Sequence, residues 1–334
     1  CWLFAFLNVM RIPMSKKYNL VDFEFSQNFL FFYDKLEKAN YFLNFIIDNK
    51  SKSLDDLKMI HMLDNVTDDG GQWNTFVNLI EKYGIVPKSN MDDNFQSKNT
   101  KALETFYNDF LRTAAQKIKT SKSKDISKLK TELLSQCYKI LVIFLGEPPK
   151  KITWEYYKKD KKKKAYKTIE DITPLEFYKK NVPYDASEKV CLINAPCKSM
   201  PFYQLYNPEL SFKINEGKGE NYINVPIDIM IDAVKKSIDG SEAVWTGMDT
   251  EKFVSNKHGI LDQNAFNFKD IFGFNNIMDK CDSLKYRQSK PNHAVIINGY
   301  NLDQGKTKGF KVENSWGEKY GFKGNYFMHL DWFK

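Results

Sequence analysis

Apolar residues recur at helical spacing until about Ile238 and at strand spacing after it. This order points to an α+β fold, with a helical part first and a β-rich part last, because strands and helices do not alternate as a parallel sheet requires. The dense apolar run Trp2 to Met10 predicts a buried helix with Cys1 at its N-terminal end, broken near Pro13. Ser26 predicts the cap of a helix reaching Ile47, with Leu30, Tyr33, Asp34 and Glu37 at helical spacing and Phe42, Phe45 and Ile46 continuing the apolar face. Asp68 to Trp73 reads as a turn into a helix over Asn74 to Tyr83, stopped by Gly84. Thr100 to Leu145 is helical in pattern, interrupted around Thr120 to Lys124 and ended by Gly146-Glu147-Pro148-Pro149. Ser89 to Asn99 reads as a loop. Lys150 to Tyr206 reads as irregular apart from the basic run and a short helix starting near Thr173, and Pro226 to Ile238 as an amphipathic helix. Strands follow at Ala243 to Gly247, at His293 to Ile297 ended by Asn298-Gly299, at Phe310 to Asn314 and at Gly324 to Met328.

A chain of 334 residues can bury a sizeable core. Its 26 Phe and 18 Tyr predict large buried surfaces and contacts between subunits. The net charge of +8 is largely local, with six lysines between Lys158 and Lys164 broken only by Asp160. Such a run is either a solvated loop or a phosphate-binding patch that would suit nucleic acid. The five cysteines, at 1, 137, 191, 197 and 281, are odd in number and form no C-x-x-C, and the four histidines are dispersed. Neither a disulfide framework nor a zinc site is expected, and the cysteine usage fits a reducing compartment. Cys137 falls in an apolar helical pattern as packing, Cys191 and Cys197 fall in an exposed loop, and His61 and His329 show no ligand spacing. No apolar run reaches the ~18 residues of a membrane span.

Cys1, His293 and Asn314 are the residue types that thiol catalysis needs. A thiolate attacks, an imidazole accepts and returns the proton, and an amide oxygen selects the imidazole tautomer. At a helix N-terminus the unpaired amides and the helix dipole favour a thiolate. His293 begins one strand pattern and Asn314 ends another, so neighbouring strands would bring ring and amide together. Trp316, two residues on, would roof their hydrogen bond or simply fill core. The Gly70-Gly71 turn reads either as a pair of positive-φ residues or as bare backbone approached by a ligand.

Cys1-Trp2-Leu3-Phe4, Gly70-Gly71, Asn292-His293-Ala294 and Asn314-Ser315-Trp316-Gly317 resemble the papain-like cysteine peptidases in that family's chain order. His293 and Asn314 nevertheless stand about twice as far from Cys1 as the ~130–150 residues usual in papain-like enzymes. That excess, with Asp22-Phe23-Glu24-Phe25-Ser26-Gln27, Asp69-Gly70-Gly71-Gln72-Trp73, Ile152-Thr153-Trp154-Glu155-Tyr156, Thr173-Pro174-Leu175-Glu176-Phe177-Tyr178 and Val312 to Glu318, is similar to the bleomycin hydrolase and aminopeptidase C family over nearly the whole chain.

The resemblance implies a papain-like fold in three parts. Residues 1–88 form the helical left part with the nucleophile helix, 89–205 a mostly helical insertion making oligomer contacts, and 206–334 the β-rich right part with His293 and Asn314. It implies a cytoplasmic homohexamer that removes amino-terminal residues from peptides with a free amino terminus, without metal or organic cofactor and without a membrane. Cys1 is then the nucleophile, His293 the base and later acid, Asn314 the orienting residue, Trp316 the shield of the His–Asn pair, and Gly70 and Gly71 backbone partners for an extended peptide. It also implies an oxyanion Gln before residue 1 and a C-terminal arm after Lys334, so Cys1 is expected to be interior to a longer chain. Without the arm, endopeptidase action is the alternative. A third reading is a non-catalytic scaffold or nucleic-acid-binding assembly built on the lysine run.

Overall fold

The computed structural model describes residues 1–159, 165–212, 214–274 and 276–334. Lys161 to Lys164 lie outside the described residues, and with them most of the expected phosphate patch. The described chain forms two compact units, one of residues 17–187 and 208–220, the other of residues 1–16, 188–207 and 221–334.

The first unit is mainly helical. Its centre is the helix Gln27–Asp48, capped by Ser26, whose Oγ accepts from Phe29 N at 3.1 Å. Phe29, Leu30, Phe32, Phe42, Leu43 and Ile46 are buried on it. It packs against Trp73–Tyr83, Lys101–Thr120 and Ile126–Leu145. The last of these buries Leu133, Cys137, Leu141 and Leu145, every fourth residue, as a helix with one apolar stripe must. Gln72 makes no side-chain cap for Trp73–Tyr83; the buried Glu220 carboxylate does that work, accepting from Thr75 N at 2.7 Å and Asn74 N at 3.2 Å. The stretch Ser89 to Asn99, expected as loop, carries two single-turn helices, Lys88–Asn90 and Phe95–Lys98.

Ile152–Lys158 and Ala165–Ile172 form an antiparallel hairpin in a stretch expected to be irregular. Ile152 and Trp154 are buried while Thr153 and Glu155 are exposed, so the strand period is present but is cut short by the lysines that follow. The next helix, Pro174–Asn181, begins with a capping box between Thr173 and Glu176.

The second unit is β-rich. Its six-stranded sheet has the order Val244–Met248, His293–Asp303, Lys306–Glu313, Asn325–His329, Ile260–Leu261, Val254–Ser255. One face buries Val295, Ile297, Phe310, Val312, Tyr326 and Met328 with Ile231 and Val234 of the helix Ile227–Asp239. Asn298-Gly299 does not end its strand. The register slips there by one residue, so Asn298 sits in a bulge and donates from Nδ2 to Glu313 Oε2 at 3.0 Å. A smaller sheet pairs Cys191–Ile193 and Leu205–Tyr206 with Tyr222–Asn224.

The helix Trp2–Tyr18 supplies its residues up to Lys16 to this unit. It runs on through Pro13 instead of breaking there. A helix-interior proline costs about 3 kcal/mol, but Val9, Met10 and Met14 are buried around it, at about 1.5–3 kcal/mol each. Phe6 stacks on Trp245 with ring centroids 4.7 Å apart.

The cysteine reading needs correction. Cys197 is buried, not exposed, and is disulfide-bonded to Cys281, with Cα atoms 5.2 Å apart across a separation of 84 residues. No local spacing signals such a pair. Among the described residues, no His, Cys, Asp and Glu group could hold a metal ion, and no helix is long and apolar enough to cross a membrane.

Candidate active site

Cys1 directly precedes the 17-residue helix Trp2–Tyr18, its carbonyl accepting the first helical hydrogen bond from Ala5 N at 3.1 Å. It is exposed, and the first turn carries no acidic side chain that would oppose an anion there. Cys137 contrasts with it: burial pushes that thiol up to about 12, so it stays protonated at neutral pH.

His293 opens its strand and is buried, while Asn314 follows the neighbouring antiparallel strand, where Glu313 pairs with Ile296. This pairing sets His293 Nε2 2.7 Å from Asn314 Oδ1. Oδ1 also accepts from Ser315 N at 2.8 Å. A backbone N–H can only donate, so the Asn314 atom at this point is its oxygen and His293 Nε2 carries the proton. In the neutral ring, Nδ1 is therefore the acceptor. Trp316 covers the imidazole with ring centroids 4.6 Å apart and planes 32° apart, and Tyr320 meets Trp316 edge-on at 6.1 Å.

Burial lowers the pKa of His293, and the bond to Asn314 works against it. The Cys1 thiol, an imidazole with a defined acceptor nitrogen and an amide oxygen all fall in the β-rich unit.

The Peptidase C1-like family model matches residues 1–334. The chain belongs to that family. The peptidase is 41% identical over 333 residues to aminopeptidase C of Listeria monocytogenes serovar 1/2a, covering 99% of this chain and 75% of that protein. It is 35% identical over 346 residues to bleomycin hydrolase of Mus musculus, covering 100% and 75%. The crystal structure of PepW from Lactobacillus rhamnosis HN001 superposes with a TM-score of 0.96 at 37% identity, covering 100% of this chain and 75% of that one. The peptidase therefore has the α+β fold of the papain-like enzymes and is a cysteine aminopeptidase of the bleomycin hydrolase type.

Gly70 and Gly71 of the peptidase lie in its helical unit, before Trp73–Tyr83. Neither has a positive φ, so left-handed geometry is not what requires glycine there. A Cβ on Gly70 would meet nothing within 4 Å. Its carbonyl accepts from Lys38 Nζ at 2.7 Å.

Three residues around the His–Asn pair have no role predictable from sequence. Arg11, on the Cys1 helix, donates to Glu313 Oε1 at 2.8 Å, and the other Glu313 oxygen accepts from Asn298. Glu313 thereby ties the Cys1 helix to both strands that carry His293 and Asn314. Tyr326 hydrogen-bonds Asn314 and donates to Asn256 Oδ1 at 2.8 Å. The available signal was one arginine within the Trp2 to Met14 stretch, otherwise apolar but for Asn8, and one acid beside Asn314.

Proposed function

We propose that Cys1 is the nucleophile of this aminopeptidase, His293 its base and then its acid, and Asn314 the residue that orients the imidazole. The observation carrying this reading is the 2.7 Å bond from His293 Nε2 to Asn314 Oδ1, which leaves Nδ1 to take a proton. Nδ1 removes the Cys1 proton and Sγ attacks the carbonyl carbon of the first peptide bond. The carbonyl electron pair moves to oxygen, where the backbone N–H of Cys1 is a donor. As the tetrahedral intermediate collapses, the C–N bond breaks and His293 protonates the leaving amine. Water, giving a proton to His293, then attacks the thioester; the C–S bond breaks and the thiol is restored.

Trp316 shields the His–Asn bond from water in this reading, and Gly70 and Gly71 offer backbone hydrogen bonds to the extended substrate. The substrates are peptides with a free amino terminus. A cytoplasmic location and a homohexameric assembly, with subunit contacts from the mostly helical segment, rest on the resemblance in sequence.

The test compares the full-length protein with its Cys1→Ala variant on free and amino-blocked aminoacyl reporters, with a thiol alkylator as control. The expected result is hydrolysis of free reporters only, lowered more than about 10³-fold in the variant. Equal hydrolysis by both proteins would sink the nucleophile assignment, and cleavage of blocked peptides would mark an endopeptidase.

A further inference from the structure

Two lysines of the central helix Gln27–Asp48 are buried, which is unusual for so strongly hydrated a side chain. Both reach the segment leading to Gly70-Gly71. Lys35 Nζ donates to the Thr67 carbonyl at 2.8 Å. Lys38 Nζ lies 2.8 Å from Asp34 Oδ2, 2.6 Å from the Asp68 carbonyl and 2.7 Å from the Gly70 carbonyl. An ammonium carries three hydrogens, and these are three acceptors. Asp34, one helical turn before Lys38, is fully buried and supplies the opposing charge.

The consequence for the glycines follows from peptide geometry. A trans peptide is planar, and its C=O and N–H point in opposite directions. With the Gly70 carbonyl held inward on Lys38, the N–H of Gly71 is aimed away from the helix. No Cβ stands on either glycine to cover it, and the space beside Gly70 is open. A peptide plane in a glycine pair is otherwise among the easiest to rotate.

We infer that Lys38, charge-paired with Asp34, is a positioning residue that locks the Gly70–Gly71 peptide with its N–H presented to the backbone of a bound peptide. This rests on the reading of Gly70 and Gly71 as substrate-binding residues. Lys38 touches no reacting atom, so its influence falls on substrate binding and not on the chemical step.

The experiment measures kcat and KM of the full-length enzyme on a free-amino peptide reporter for Lys38→Met, Lys38→Arg and Gly71→Pro, each checked for folding by its melting transition. Gly71→Pro deletes the N–H itself. Lys38→Met should raise KM about 2- to 10-fold, the worth of one neutral hydrogen bond, with kcat nearly unchanged, and Lys38→Arg should restore KM. If Lys38→Met does not fold, Lys38→Gln is measured in its place, with the same KM effect expected. A KM effect in Gly71→Pro with none in the Lys38 variant overturns the positioning role alone. No KM effect in Gly71→Pro overturns the glycine reading beneath it, whatever Cys1→Ala shows.

Discussion

Two opposing influences set the proton affinity of His293. Burial is the larger and lowers it, and the bond to Asn314 raises it. Trp316 provides part of that burial, with its ring 4.6 Å from the imidazole. Trp316→Ala should therefore raise the His293 pKa toward the ordinary value of about 6.5, read by NMR titration of the ring. An unchanged or lower value would show that Trp316 does not desolvate the histidine. The sign also reaches stability. The folded pKa lies below the unfolded one, so the unfolded chain binds more protons in that window and stability rises with pH there. The neutral ring's contribution is fully present above the unfolded value and is lost as pH falls through the folded one. Trp316→Ala should flatten that dependence. At this scale the identities of Cys1, His293 and Asn314 were legible in the sequence, whereas the Ser315 amide that settles the amide orientation of Asn314 was not.

Helix ends in the helical unit are set by glycines whose surroundings differ. Gly84 ends Trp73–Tyr83 at φ +76°, and a Cβ there would stand 2.2 Å from the Pro174 carbonyl carbon. Gly146 ends Ile126–Leu145 at φ +88°, with nothing within 4 Å of the same position. Both combine this φ with an extended ψ, −156° and 161°, a region nearly exclusive to glycine where an alanine costs about 1–3 kcal/mol, and overpacking adds about 1–3 kcal/mol. Gly84→Ala should thus destabilise by about 2–6 kcal/mol and Gly146→Ala by the first amount only, compared by urea unfolding. Equal losses would show that the approach of Pro174 is relaxed at little cost. Both helix stops were readable from the glycines, but the cap that Glu220 places on Trp73–Tyr83 was not, because it arrives from 145 residues away in the chain.

At the scale of the whole molecule, the Cys197–Cys281 bridge closes a separation of 84 residues, with both ends in the β-rich unit. Alkylation of unfolded, unreduced protein should modify three of its five cysteines, Cys1, Cys137 and Cys191, and all five after reduction. Reduction should lower the melting temperature, with up to about 4–5 kcal/mol at stake for a loop of this size. Five alkylated thiols before reduction would remove the bridge and favour the reducing compartment that the cysteine count suggests. The order of helices before strands, the α+β class and the Cys–His–Asn succession were determined by the sequence alone, since period, caps and residue chemistry are local properties. The continuation of the Cys1 helix through Pro13, the bulge at Asn298, the bridge, the Arg11–Glu313 tie and the hold of Lys38 on the Gly70 carbonyl were decided only by the tertiary structure. Each depends on groups brought together from distant parts of the chain or on the burial around them, and no local pattern encodes which groups those are.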